Sequence, residues 1–217
     1  MSARENILNR IRSAQGRRGA VTVEETAAVA AHLAAHPQGP RPQSDWNPLE
    51  RLRDRAHSLS TTLDHVGAPA EVPRTVAAYL ESNNLPLNAV CWPELSGLDW
   101  LAAGIAVAAR PACGDDLVGI TGAFCAIAET GTLMMLSGEQ TPGATSLLPE
   151  THIAVVAASR IVRGMEDAWA LLRSERGADA MPRAVNFISG PSRTADIEQT
   201  LVLGAHGPYR VHIVLTP

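Results

Sequence analysis

Short, nearly uninterrupted apolar runs recur along this chain, and they constrain its fold more than any other feature. Asn88–Trp92, Ile105–Ala109, His152–Ala157, Ala184–Ile188 and Val211–Leu215 each have the length of one strand and little polar alternation. Asn88–Trp92 and His152–Ala157 in particular read as strands buried in a sheet, which helices must cover. Helix signals are present and concentrate early. Ser2-Ala-Arg-Glu5 and Thr22-Val-Glu-Glu25 are capping boxes. The first is followed by an Ile7, Leu8, Ile11 stripe, the second by an alanine-rich helix that stops at His36 before Pro37. Asn47-Pro48 caps a third helix with Leu49, Leu52, Ala56 and Leu59 on its apolar face. Further helices are expected over 71–83 and near 165–175, and a strand over Thr61–Val66. Helices early and strands late, in alternation, give an α/β sheet with helices on its faces.

The apolar stretch Ile127–Leu136 is interrupted by Glu129-Thr-Gly-Thr132, which predicts two strands around a tight turn with Gly131 at positive φ. Residues 37–48 hold four prolines and read as an extended loop wrapping the domain. At 217 residues one domain is expected over 1–217, with a helical N-terminal segment over about 1–60.

Composition removes several function classes. The net charge is -4 and aromatics make up 4%, so neither the basic groove nor the stacking platform of a general single-strand nucleic-acid binder is present. All 18 Lys and Arg positions are Arg. A Schiff-base lysine and a Walker A loop are therefore excluded, and an anion must be held by Arg, hydroxyls or amides. Cys91, Cys113 and Cys125 form neither a C-x-x-C pair nor a cluster cradle. The longest apolar run, Trp100–Ala109, is too short to span a membrane and contains Gly104. The N-terminus lacks the apolar segment of a signal peptide, so a cytoplasmic location is expected.

Two polar stretches concentrate the chemistry. Ser189-Gly-Pro-Ser-Arg-Thr-Ala-Asp-Ile-Glu198 leaves an apolar strand through Gly190-Pro191 and offers Ser192, Arg193 and Thr194 to an anion. The competing reading is a surface turn with an internal Arg193–Asp196 or Arg193–Glu198 pair. Glu129 is a carboxylate in an apolar setting, which suits a general base or nucleophile, or else a turn cap or partner of an Arg. Gly119-Ile-Thr-Gly122 reads as flexible positions, with the Thr121 hydroxyl, that let a ligand approach the backbone. His152, His206 and His212 have no metal-binding spacing, and no metal site is expected. Cys125, among apolar residues, reads as a buried inert thiol.

Val118–Leu133, Ser146–His152 and Phe187–Glu198 continuing through Gly204–Pro208 resemble, in order, the signature blocks of the LUD domain family. The resemblance covers about residues 88–217 and is nearest to the single-domain members. It implies an α/β fold like that of the isomerase, deaminase and CoA-transferase group, with a central, mostly parallel sheet flanked by helices. It implies a cytosolic system that oxidises L-lactate to pyruvate, with iron–sulfur clusters carried by partner proteins and no cofactor in this chain. Glu129 then stands as an analogue of the catalytic Glu of CoA-transferring members, by analogy of fold. One departure is Ala144-Thr145, where a basic residue is expected in relatives.

The resulting expectation is a subunit of that system with a pocket for a small carboxylate or phosphate anion. Glu129 is the catalytic candidate. Thr121, Gly122, Thr130, Gly131, Thr132, Ser189, Gly190, Ser192, Arg193, Thr194, Asp196 and Glu198 are the ligand-binding candidates. The alternatives are an independent enzyme acting on a CoA ester or sugar phosphate, and a non-catalytic scaffold that docks the iron–sulfur proteins.

Overall fold

The structure is a computed structural model that describes residues 2–17, 20–177, 180–196 and 199–217. The chain divides into two compact units, Met1–Gln43 and Ser44–Pro217. The first holds α1 (Ala3–Ala14) and α2 (Val23–Ala35), each opened by the capping box read from the sequence, Ser2 with Glu5 and Thr22 with Glu25. Neither helix buries a residue. The proline-rich stretch contains the boundary between the units, and residues 37–45 are all exposed.

The second unit is built on a six-stranded sheet in the order β1-β12-β7-β4-β2-β3. Its strands are β1 (Thr62–His65), β2 (Asn88–Cys91), β3 (Ala106–Ala109), β4 (Val118–Thr121), β7 (Thr151–Ala157) and β12 (Arg210–Thr216). Every pairing in it is parallel. The inner strands are buried on both faces, which is why they read as apolar runs. The short edges β1 and β3 are mostly exposed.

One face of this sheet is covered by α4 (Val72–Ser82), whose Val76 and Leu80 pack on Ile120, Ile153 and Val214. The other face is covered by α3 (Pro48–Ser58) and by a second sheet in the order β8-β5-β6-β9. These strands are β5 (Cys125–Ile127), β6 (Thr132–Leu136), β8 (Ile161–Val162) and β9 (Val185–Ile188). Side chains alternate across β5 and β6. Ala126, Leu133 and Met135 join Leu52 and Ala56 of α3 in the inter-sheet core. Cys125, Ile127 and Met134 face α6 (Met165–Arg176) through Ala168 and Leu172. A short α5 (Ala144–Leu147) and a two-stranded ribbon, β10 (Arg193–Thr194) with β11 (Val202–Leu203), complete the fold.

One expectation changes. Gly119–Thr121 is not a flexible approach for a ligand; it is part of β4, in the interior of the parallel sheet. Gly119 is there because α5 crosses it: a Cβ would lie 2.1 Å from the Thr145 carbonyl oxygen. The two-residue strands β8, β10 and β11 fall below the length at which periodicity is visible in a sequence. Among the described residues, no helix is long and apolar enough to cross a membrane.

Candidate functional site

The two polar stretches meet. Ala128–Gly131 forms the turn between β5 and β6, with Gly131 at φ 71°. The turn is pinned from one side by Ala128 and Glu129 N–H bonds to the Val162 and Arg163 carbonyls, both 2.9 Å. From the other side it packs on α3, where a Cβ on Gly131 would lie 2.8 Å from the Arg55 carbonyl carbon. Thr130 Oγ1 donates to Thr132 Oγ1 at 2.8 Å, and Thr132 Oγ1 lies 2.6 Å from Ser189 Oγ. This row of hydroxyls links the start of β6 to the residue after β9. Glu129 is half-buried, and among the described residues its carboxylate has no hydrogen-bond or ion-pair partner. Neither the turn cap nor the Arg pair weighed from the sequence is formed by it among those residues.

Beyond Ser189 the chain is spent largely on structure. Gly190, at φ 83°, presses on the end of α3, and a Cβ there would meet the Leu59 oxygen at 2.5 Å. Arg193 Nη2 donates to Leu59 O at 3.3 Å and to Ser60 Oγ at 2.5 Å, satisfying a carbonyl that the helix end leaves open. Ser192 fastens the segment ahead of β12: its N–H donates to Pro208 O at 2.9 Å and its Oγ accepts from His206 N–H at 3.3 Å. Thr194 Oγ1 accepts from Asp196 N–H at 3.2 Å. Asp196 faces His206 at 3.6 Å, with both exposed, and not Arg193. Glu198 lies outside the described residues.

The location differs from the sequence reading. Ser189–Asp196 does follow the carboxyl end of a strand, but β9 belongs to the second sheet. With respect to the parallel sheet the segment sits at the amino ends, against Leu59–Ser60 before β1 and Gly204–Pro208 before β12. Thr121 is a second correction. It is fully buried, and its hydroxyl lies 2.7 Å from Nε2 of the equally buried His152, so it belongs to the core and lines no ligand surface.

The carboxyl ends of the parallel strands hold an acid that sequence reasoning missed. From β2 the chain steps outward to β3, then returns past β2 to β4 and runs on through β7 to β12. The direction reverses between β2 and β4, which is where open α/β sheets leave a crevice. Glu94, in the 3-10 turn Pro93–Leu95 after β2, reaches across this point to Gly122 after β4. A Cβ on Gly122 would lie 2.0 Å from Glu94 Oε1, so only glycine lets the carboxyl approach the backbone this closely. Burial pushes the Glu94 carboxyl above the usual carboxylate range, and the Gly122 amide pulls it part of the way back. The carboxyl borders a cavity of about 230 Å3. The usable signal was Trp92-Pro-Glu94 directly after an apolar strand. A larger hollow of about 460 Å3 runs along edge strand β3 and carries a single charged residue, Asp99.

The histidines do not converge. His152 pairs in register with Val211, and His212 with Ile153, so the two rings project from opposite faces of the sheet. Burial holds both near a pKa of about 4, outweighing for His212 the pull of Asp64. His212 stacks on Tyr79, with ring centroids 4.0 Å apart. Among the described residues no group of three His, Cys, Asp or Glu is placed to hold a metal ion. Cys91 and Cys125 lie in different cores, and burial pushes their thiols up to about 11 and about 12. Cys113 is exposed beside the Arg110–Asp116 pair.

Comparison with known proteins adds three findings. The family model described as the LUD domain matches residues 49–216. Proteins named lactate utilization protein C are similar over parts of the chain. The one from Geobacillus sp. (strain WCH70) is 44% identical over 102 residues, 46% of this chain and 42% of that protein. The one from Exiguobacterium sp. (strain ATCC BAA-1283 / AT1b) is 36% identical over 140 residues, 64% and 61%. The matched stretches thus span about two fifths to three fifths of these relatives' lengths. The crystal structure of a DUF162 family protein from Deinococcus radiodurans superposes with a TM-score of 0.58 at 26% identity, covering 81% of this chain and 100% of that one.

Proposed function

Because this chain belongs to the LUD domain family, its residues 49–216 matching the family model, we propose that it works in lactate utilization, as a subunit of a system oxidising L-lactate to pyruvate. The supporting observation is Glu129. A half-buried carboxylate without an internal partner among the described residues, beside the Thr130–Thr132–Ser189 hydroxyls, is free to accept the hydroxyl proton of a bound 2-hydroxy acid. Arg193 Nη2 is engaged by Leu59 and Ser60; among the described residues its other guanidinium nitrogens carry no hydrogen bond and can take the substrate carboxylate. Electrons leave through iron–sulfur partner proteins. The cysteines of this chain, in two separate cores and at the surface, share no common cluster position.

The test is reconstitution of lactate oxidation from this chain and its iron–sulfur partners, omitting each in turn. Glu129→Gln is expected to abolish activity while the melting temperature stays within about 2 °C of wild type, a shift below 1 kcal/mol for a domain of this size. A Glu129→Gln protein that is stable and fully active, in a system that still requires the chain, would remove Glu129 from both the catalytic and the structural role.

A further inference from the structure

Two arginines of α3 are left without a counter-charge. Leu52 and Ala56 turn into the inter-sheet core. Arg51 and Arg55, one residue before each, run along the border of that buried face, four positions apart and so one turn above the other. Both are half-buried, and the Nε of each is shut away from solvent with no hydrogen-bond partner. Their Nη groups are not enclosed in this way. Each guanidinium is thus fixed at its stem and open at its tip. Among the described residues neither forms a hydrogen bond or an ion pair.

The surroundings add to the positive charge. Trp46 carries the Arg51 and Arg163 guanidiniums, each 5.5 Å from its ring centroid. Arg163 donates to the carbonyl oxygens of Ser44 and Trp46, which leave its charge in place. The Glu129 turn packs on Arg55, where a Cβ on Gly131 would lie 2.9 Å from Arg55 Cβ, yet the Glu129 carboxylate pairs with neither arginine of α3. Three cations and one carboxylate therefore border the contact of α3 with Trp46 and the turn, an excess of two positive charges. Asp45, Glu50 and Asp54 are exposed and form no ion pair with these arginines, so solvent and salt screen them. Like charges one turn apart on a helix repel, and a donor taken from water without a partner is costly. A bound anion relieves both. The guanidinium fork matches the paired oxygens of phosphate, and two uncompensated charges match a dianion, whereas a monocarboxylate leaves one unmatched.

We propose that Arg51 and Arg55 form a binding site for a phosphate dianion, as the free ion or as the terminal group of a phosphomonoester, beside the Glu129 turn. The Nη groups of both arginines hold its oxygens, and Trp46 backs Arg51. The site stands independently of the lactate reading.

Two-dimensional NMR of the full chain tests the site, in about 0.15 M chloride to screen diffuse attraction. The Trp46 indole N–H signal, identified by its loss in Trp46→Phe, reports on Arg51. Inorganic phosphate and methyl phosphate are expected to shift it saturably, with midpoints below about 5 mM. Acetate should bind at least about tenfold more weakly. Both phosphate probes support the site, and the tighter of the two identifies the source as the free ion or an ester. Arg51→Gln and Arg55→Gln should each weaken phosphate binding at least about tenfold. Arg51→Lys, which keeps the charge and loses the fork, should weaken it at least about threefold. Arg53→Gln, on the opposite side of α3 and exposed, should stay within about twofold of wild type. Arg55→Gln leaves the Arg51–Trp46 contact in place, so it remains informative if Arg51→Gln fails to fold. The proposal is overturned by an unmoved Trp46 signal with both phosphate probes, by equal affinity for acetate and phosphate, or by equal losses in Arg53→Gln and Arg55→Gln. Any of these leaves the Glu129 reading standing, because that reading is tested by activity.

Discussion

Three glycines separate two kinds of backbone constraint, and substituting alanine at each measures them. Gly104 has φ 78° with nothing within 4 Å of an added Cβ, so alanine there meets only the left-handed backbone cost, about 1–2 kcal/mol. Gly119 has an ordinary φ, but its Cβ would lie 2.1 Å from the Thr145 carbonyl oxygen and 2.9 Å from Pro149 Cγ. Alanine there meets only overpacking, about 1–3 kcal/mol. Gly131 carries both: φ 71°, and Arg55 C and Ala56 N at 2.8 and 2.9 Å, main-chain atoms of a helix that cannot rotate aside. The two costs together are about 2–5 kcal/mol, or on the order of 10 °C in melting temperature for a chain of this size. Urea unfolding of the three variants, followed by tryptophan fluorescence with a shared m-value, reads these directly. Gly131→Ala losing no more stability than Gly104→Ala would refute the close packing of the Glu129 turn on α3.

Other outcomes follow from the buried polar groups. His152 and His212 are held near a pKa of about 4, below the unfolded value of about 6.5, so the unfolded chain binds more protons between these limits. Their stabilisation is complete above about pH 6.5 and is lost as pH falls toward 4, on the order of 3 kcal/mol for His152; urea midpoints in His152→Gln should show a flatter acid limb, and an unchanged limb would contradict this. Thr121→Val removes the hydroxyl 2.7 Å from His152 Nε2 and should cost about 1–3 kcal/mol without altering lactate oxidation in the reconstituted system. Lost turnover in a protein of unchanged stability would return Thr121 to the site. Titration with a chromogenic disulfide should find one fast thiol in the folded chain, Cys113, and three after denaturation; rapid reaction of Cys91 or Cys125 would show that their cores open.

The sequence by itself determined what is local. Ser2 with Glu5, Thr22 with Glu25 and Asn47-Pro48 start helices where they were read to, because a cap is a matter of a few neighbouring residues. The apolar runs became the strands, and Gly131 took the positive φ its turn required. The tertiary structure decided everything that depends on which strands become neighbours. Strand order places a reversal between β2 and β4 and so brings Glu94 to Gly122, 28 residues away in the chain. Pairing one residue out of step sends His152 and His212 to opposite faces. It also set Gly119, read as flexible, beneath the backbone of α5, and carried Arg193 to the end of a helix more than 130 residues earlier. Hydrophobic pattern and caps state that a strand or helix forms. Long-range register and layer packing alone fix what its polar residues touch, and those contacts separate a core hydroxyl such as Thr121 from a carboxylate such as Glu129 that has no partner among the described residues.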